Sequence, residues 1–268
     1  MNKVAFIGAG NMARAIIIGL VNSGVTPSDI IVSNPSEPKR LALAEEFGVL
    51  QTSDNTKAAT FADIIVLSVK PHFISDVCQH LAQQCDISSK LFVSVAAGRT
   101  VEQIQTALLC NAPVVRVMPN TPSQLGLGMS GLFASPEVND EHKAASAKLM
   151  SAVGKIIWLD EERKINDIIA VAGSAPAYFF LFMEAMETQA KLLGFSDEDS
   201  RMLVQQTALG AAQMVAHNDV PISTLRNNVT SKGGTTHAAI EQFKADGIEK
   251  MVANAMNAAI NRAEEKAK

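Results

Sequence analysis

Apolar residues follow two different patterns along the chain. Up to Leu159 they come as short, nearly unbroken runs: Lys3-Val4-Ala5-Phe6-Ile7, Ile30-Ile31-Val32-Ser33, Asp63 to Val69, Leu91 to Val95, Val114 to Met118 and Lys155 to Leu159. Such runs, bounded by Gly, Pro, Asn or Ser, predict strands buried on both faces of a sheet. Phe47-Gly48-Val49 with Ser53-Asp54-Asn55 reads as a further short strand and turn, and Gly126 to Leu132 as the start of another. Between them lie helical patterns, as in Ala15 to Leu20 and near Asp140 to Ala152. Alternating strands and helices predict a mostly parallel, doubly wound sheet.

Beyond the charge cluster Asp160-Glu161-Glu162-Arg163-Lys164 no strand-like run appears, so the expected boundary divides residues 1–160 from an all-helical part, 161–268. A helix from Ile165 to Ala172 is expected to stop at Gly173 and restart at Ser174-Ala175-Pro176, with Ser as cap and Pro in the first turn. Tyr178-Phe179-Phe180-Leu181-Phe182-Met183 is apolar almost all round. A small domain has too little interior to cover such a helix, and a partner subunit is the economical explanation. Ser196-x-x-Asp199 opens the next helix, running to about His217 with Met202, Leu203, Leu209, Met214 and Val215 as its expected core. Ile222 to Asn228 reads as a short helix, two more stretches split near Gly247, and the charged end Arg262 to Lys266 is expected to fray.

Composition narrows the function. The chain has 268 residues and a net charge of −4, with no basic run, so a nucleic-acid backbone is not the expected partner. Cys78, Cys85 and Cys110 lack metal-ligand spacing and read as reduced thiols of a cytoplasmic protein. No leader pattern opens the sequence, and charges such as Glu184 and Glu187 interrupt the best apolar stretch, so no membrane span is expected. The histidines are scattered, and no metal site is expected.

The first strand ends in Gly8-Ala9-Gly10-Asn11-Met12-Ala13, a G-x-G-x-x-A turn leading into a helix. In that context Gly8 allows the turn, Gly10 lets the backbone approach a pyrophosphate, and Ala13 lets helix and strand pack closely. The N-terminal part is therefore expected to be a Rossmann-type dinucleotide domain. Many NAD enzymes carry an acid at the end of the second strand. Here Ser33, Asn34 and Ser36 precede Lys39 and Arg40, a polar and basic stretch that favours NADPH, with NADH possible as a second donor. Glu37 lies close by and moderates that preference. Lys70-Pro71 sits at another strand end, where open α/β sheets bind ligands. Ala96-Ala97-Gly98 leaves space for a ring, and Pro119-Asn120-Thr121-Pro122 makes a rigid turn at the end of its strand.

The stretch Val229-Thr230-Ser231-Lys232-Gly233-Gly234-Thr235-Thr236-His237-Ala238-Ala239-Ile240 brings two glycines into the start of a helix. Successive N–H groups at such a point make an anion site, and the threonines add hydroxyls. A plain glycine turn with a threonine cap reads equally well from the local residues.

Ser231-Lys232-Gly233-Gly234-Thr235-Thr236 resembles the signature of the pyrroline-5-carboxylate reductase family, with Lys232 where many members have Pro. The N-terminal fingerprint, Val69-Lys70-Pro71, Pro119 to Pro122 and Ser174-Ala175-Pro176-Ala177-Tyr178 follow in the family's order, with Ala175 in place of a glycine. The resemblance implies hydride transfer from NAD(P)H to the imine of 1-pyrroline-5-carboxylate, giving L-proline. It implies cofactor contacts at Ile7, Gly8, Ala9, Gly10, Asn11 and Met12, at Asn34 and Asn55, at Ser68, Val69, Lys70 and Pro71, and at Val95, Ala96, Ala97 and Asn120. Ser231, Gly233, Gly234, Thr235 and Thr236 would hold the substrate, Thr236 facing its ring nitrogen as the catalytic hydroxyl. A homodimer with interlocked helices, and rings of such dimers, are implied as well, with the site where one subunit's nucleotide domain meets intertwined helices. Two other readings stand beside it. A β-hydroxyacid dehydrogenase relative would carry a Lys soon after Gly173, and Ser174 to Phe180 has none. A dinucleotide sensor without turnover would need neither threonine.

Overall fold

The computed structural model describes residues 3–267, with side chains to residue 265. By internal contacts the chain forms two compact units, Met1–Ser174 with Ala259–Lys268, and Ala175–Ala258. The first is an α/β sandwich and the second is all-helical.

In the first unit eight strands form one sheet in the order β3-β2-β1-β4-β5-β6-β7-β8: β1 (Val4–Ile7), β2 (Ile30–Ser33), β3 (Leu50–Thr52), β4 (Ile64–Leu67), β5 (Leu91–Ser94), β6 (Val114–Met118), β7 (Gly128–Ala134) and β8 (Gly154–Trp158). All neighbours pair in parallel except β6 and β7, which are antiparallel. The sheet is the doubly wound, Rossmann-type architecture expected. Strands β1 and β4 are apolar throughout because both faces are covered. Val4 and Phe6 join one core, with Ile16, Ile17 and Leu20 of helix α1 (Asn11–Asn22). Ala5 and Ile7 join the other, with Ile65, Phe92 and Ile104. Each large side chain buried this way stabilises the fold by about 1.5–3 kcal/mol relative to exposure.

The third strand lies further along the chain than Phe47-Gly48-Val49. Phe47 is the last residue of helix α2 (Glu37–Phe47), Gly48 closes that helix, and β3 begins at Leu50. Asp54 then caps helix α3 (Asn55–Phe61), accepting from the N–H groups of Thr56 and Lys57. Helix α4 (Ile74–Gln84) carries Cys78 on its buried face. Burial raises that thiol's pKa to about 12. Helix α5 (Val101–Leu108) opens with a capping box between Thr100 and Gln103, and helix α6 (Asp140–Ser151) matches its expected span to within a residue.

Helix α7 (Lys164–Ile168) does not stop at Gly173. It widens into a π-helical turn over Ile169–Gly173, where the Ser174 N–H donates to the Ile169 carbonyl at 2.7 Å. A side chain on Gly173 would stand 2.8 Å from the Met118 methyl, so the glycine serves close packing on β6.

The second unit contains helices α8 (Ala175–Leu192), α9 (Asp197–Ala216), α10 (Ile222–Asn228) and α11 (Thr235–Ala245), and most of α12 (Ile248–Ala267). Ser196 caps α9 as expected, accepting from the Asp199 N–H and donating to its carboxylate. The expected core of α9 is not a core within this chain: Met202, Leu203, Leu209, Met214 and Val215 are all exposed. So are Phe179, Phe180, Leu181 and Phe182 of α8, which has no buried residue at all. The charged end does not fray within the described residues. Helix α12 continues to Ala267, and Ala263 is buried. The run Lys164–Leu192 is long and apolar enough to cross a membrane by length and composition alone, a test that an ordinary core helix also passes.

Candidate functional site

The turn after β1 is built by hydrogen bonds from its neighbours. The Gly8 N–H donates to the Ser33 carbonyl at 2.8 Å, tying β1 to β2. The Ser68 hydroxyl donates to the carbonyls of Ile7 and Gly8, both at 3.0 Å, tying β1 to β4. Gly8 has φ +113°, and a Cβ there would lie 2.7 Å from the Ser68 carbonyl oxygen. Its glycine is demanded by the fold. Gly10 is different, because a Cβ there would meet no protein atom within 4 Å. It stands at the start of α1 with an extended backbone and no side-chain cap. The first N–H groups of α1 therefore point outward without an intrahelical acceptor, beside open space.

That space is a cleft of about 460 Å³. It is lined by Ile7, Gly8, Ala9, Gly10, Asn34, Asn55, Ser68, Val69 and Lys70, all expected from the sequence, and by Ser33, Ser36 and Lys39. Asn34 shapes the floor: its side-chain oxygen accepts from the Ala9 N–H at 3.3 Å, and its amide donates to the Ser36 carbonyl. The Ser33 hydroxyl donates to Asn55 at 2.7 Å, which fixes the expected Asn55 side chain at the cleft's edge. Pro35, Phe73, Asp76 and Val77 also line the cleft and were not foreseen. The signal for the last three was their place in the first turns after the Lys70-Pro71 strand end.

The remaining expected residues are dispersed. Asn11 faces two smaller grooves beside the turn, both shared with Arg14. Met12 packs against the core instead. Val95 also packs on that core, and Ala96 is buried in the other. Pro71 and Ala97 line a separate cavity of about 660 Å³, with His72, Gly98, Arg99 and Arg262. Asn120 is buried with both ends of its amide engaged, donating to the Ala172 carbonyl at 3.1 Å and accepting from the Met129 N–H at 3.0 Å.

In the helical unit the loop before α11 is a tight glycine turn. Gly233 has φ +77°, and the Gly234 N–H turns back to the Ser231 carbonyl at 3.0 Å. Gly234 occupies the cap position with no side-chain cap, so neither threonine caps the helix. The first intrahelical bond runs from Ala238 N–H to the Gly234 carbonyl. The N–H groups of Thr235, Thr236 and His237 are thus the helix's uncapped donors. Ser231, Thr235 and Thr236 are exposed around them. Among the described residues no cluster of His, Cys, Asp and Glu could hold a metal.

Sequence comparisons agree with this layout from both ends. Residues 162–266 match the family described as pyrroline-5-carboxylate reductase dimerisation, and residues 3–98 match NADP oxidoreductase, coenzyme F420-dependent. A pyrroline-5-carboxylate reductase of Vibrio alginolyticus is 55% identical over 264 residues, 98% of this chain and 97% of that one. The one from Pasteurella multocida is 45% identical over 268 residues, with the same shares covered. Among solved structures, a pyrroline-5-carboxylate reductase from Coxiella burnetii aligns with TM-score 0.95 at 41% identity, covering 100% of this chain and 99% of that one. A Plasmodium falciparum pyrroline carboxylate reductase, solved with NADP bound, aligns with TM-score 0.87 at 28% identity, covering 100% and 98%. With relatives this similar along their whole length, the chain belongs to the pyrroline-5-carboxylate reductase family.

Proposed function

We propose that the protein reduces the cyclic imine of 1-pyrroline-5-carboxylate to L-proline, the last step of proline biosynthesis, with NADPH as preferred donor. The observation that carries this reading is the open cleft beside Gly10, where uncapped helix N–H groups face space that no protein atom occupies. When bound, the dinucleotide supplies a hydride to the imine carbon, and a proton completes the amine nitrogen.

The chain's own residues bind and orient. Gly10 leaves room for a pyrophosphate against the N-terminus of α1. Asn34, Asn55 and Ser68 hold the walls of the cleft in place through the bonds described above. The end of β2 carries Ser33, its hydroxyl turned to Asn55, where a carboxylate would repel a phosphate on the ribose. This supports NADPH over NADH.

The loop before α11 fits a carboxylate. Because the Gly234 N–H is spent on Ser231, the donors for the substrate's carboxylate are those of Thr235, Thr236 and His237, with the Ser231 hydroxyl beside them. The Thr236 hydroxyl donates to, or relays a proton to, the ring nitrogen. Its intrinsic pKa is far too high for it to act as a strong acid. An imine arrives partly protonated, so orientation supplies most of the acceleration.

The helical unit pairs with a second copy. Its apolar side chains on α8 and α9 are exposed in the single chain, and contiguous apolar surface of this kind marks an association face. The same pairing accounts for the apolarity of Lys164–Leu192 without a membrane, in a cytoplasmic enzyme. Sedimentation would separate a dimer from a ring of dimers.

The decisive assay follows oxidation of NADPH and NADH side by side, with and without 1-pyrroline-5-carboxylate, and measures the proline formed. The expected result is imine-dependent oxidation of both, with the larger kcat/KM for NADPH. No imine-dependent oxidation with either donor removes the proposal.

A further inference from the structure

Three cations, Arg14, Lys39 and Lys70, line the spaces around the glycine turn, and a fourth, Arg40, holds the loop after β2. The sequence treats Lys39 and Arg40 as equivalent neighbours, but their surroundings are unlike. Arg40 is spent on the protein. Its Nε donates to the Gln51 side chain at 2.8 Å, and its Nη1 reaches the carbonyls of Pro35 and Asn34 at 3.3 and 3.4 Å. Its other nitrogen lies 4.0 Å from Glu37, and its side chain is only 13% exposed. A guanidinium holding two successive carbonyls of one loop fixes the course of that loop.

Lys39 is exposed and has no hydrogen bond or ion pair among the described residues. It lines the main cleft and also the adjoining groove with Ala9, Gly10, Ala42 and Leu43. Arg14 shares that groove but is paired with Glu46 at 2.8 Å. Lys70 lies at the end of β4, across β1 from β2. In a doubly wound dinucleotide fold the adenosine ribose is held at the end of the second strand, which is the side of Lys39. The carboxylate on the cleft lining, Asp76, stands on α4, the helix that follows β4.

Resting on the proposed dinucleotide cleft, we infer that Lys39 alone supplies the charge that recognises a phosphate on the adenosine ribose, while Arg40 is a positioning residue. Arg40 holds the 34–36 loop for any adenosine ligand and does not sense the phosphate. The two roles separate cleanly by binding, with no turnover involved.

The test is calorimetric titration of the full-length protein with adenosine 2′,5′-bisphosphate and with adenosine 5′-monophosphate. The unaltered protein should prefer the bisphosphate. Lys39→Ala should weaken the bisphosphate about tenfold, as for loss of a charge-assisted contact, and leave the monophosphate within about twofold. Arg40→Ala should weaken both ligands by the same factor and preserve the preference. Arg40→Gln, which keeps a donor, serves if the alanine variant does not fold. Lys70→Ala should leave the ratio of the two affinities unchanged. A preference that survives in Lys39→Ala, or disappears in either Arg40 variant, overturns the assignment. If the unaltered protein binds neither ligand, the dinucleotide reading itself fails, which is a separate and recognisable result.

Discussion

Phe6 and Phe92, in the sheet, are completely buried, whereas Phe179 and Leu181, in α8, are more than 65% exposed. All four are large apolar side chains, and the fates are opposite. In the sheet unit a short apolar strand meets two helical layers and completes its burial within one chain. In the helical unit an apolar helix finds nothing in its own chain to cover it. The first unit therefore carries its own stability. The second leaves its apolar surface exposed in the single chain, and the proposed pairing would make its stability depend on protein concentration. Apolarity in a sequence states how much surface must be covered, and leaves open whether the same chain covers it.

The most severe way to break this contrast is a charge on α8. Phe180→Asp with Leu181→Asp should convert the assembly to monomer at micromolar concentration, with loss of helical signal and of nearly all activity. The sheet unit should persist and still bind nucleotide. Sedimentation and nucleotide titration on the same sample check both halves. An assembly unchanged by two buried charges shows that this face is not the interface.

The next effect separates two glycines two positions apart in the same turn. Gly10→Val should reduce cofactor affinity at least 100-fold, because its side chain enters the cleft. It should leave folding and assembly intact, because no protein atom lies within 4 Å of the new Cβ. Gly8→Ala should instead destabilise the fold by about 1–3 kcal/mol, since φ +113° is strained for any L side chain and the Ser68 carbonyl is 2.7 Å away. Thermal unfolding and calorimetry distinguish the two. Equal loss of stability in both variants would remove the distinction.

These glycines also show what was legible in the sequence. The doubly wound sheet was readable because buried parallel strands appear as unbroken apolar runs between turn residues, and its strands, together with helix α6, fall within about two residues of expectation. The exception at Leu50–Thr52 is an edge strand with two exposed residues, so it carries no apolar run to read. The cleft was legible at strand ends, because topology alone sends ligands there. Asn120 shows the limit: a polar residue at a strand end is also what a buried turn needs, and both ends of its amide are bonded to the backbone. The π-turn at Ile169–Gly173 was not legible because no residue type encodes it. Its last residue, Gly173, sits where a side chain would stand 2.8 Å from the Met118 methyl. The exposure of α9 was missed because a helical apolar stripe reads the same whether it faces its own chain or a second copy.

A third prediction addresses the chemistry of the helical unit. Thr236→Ala should lower turnover about 100-fold, within the range for a positioned proton donor. Cofactor affinity should stay unchanged, because the cleft is built entirely from residues of the sheet unit. Thr235→Ala, which keeps the backbone donor and loses only a hydroxyl, should raise KM more than it lowers kcat. Unchanged turnover in Thr236→Ala takes that hydroxyl out of the mechanism.

The smallest predicted effect tests where the sheet unit ends. Glu162 lies in the segment matched as dimerisation, residues 162–266, yet its carboxylate serves the sheet. It accepts from Arg116 of β6 at 2.6 Å and from the Val101 N–H, the first of α5, at 2.7 Å. Arg116 is nearly buried and Glu162 about one quarter exposed, so solvent screens the pair on one side. Glu162→Gln keeps the shape and one acceptor but leaves the buried guanidinium without its counter-charge. A fully buried broken pair costs about 3–5 kcal/mol, and partial exposure reduces this to about 2 kcal/mol. For a unit of this size that lowers Tm by about 4–8 °C. The oligomeric state should not change, since every partner of Glu162 lies in the sheet unit. A shift in sedimentation with no shift in Tm would place residue 162 functionally with the helices, and move the working boundary of the sheet unit back to the charge cluster.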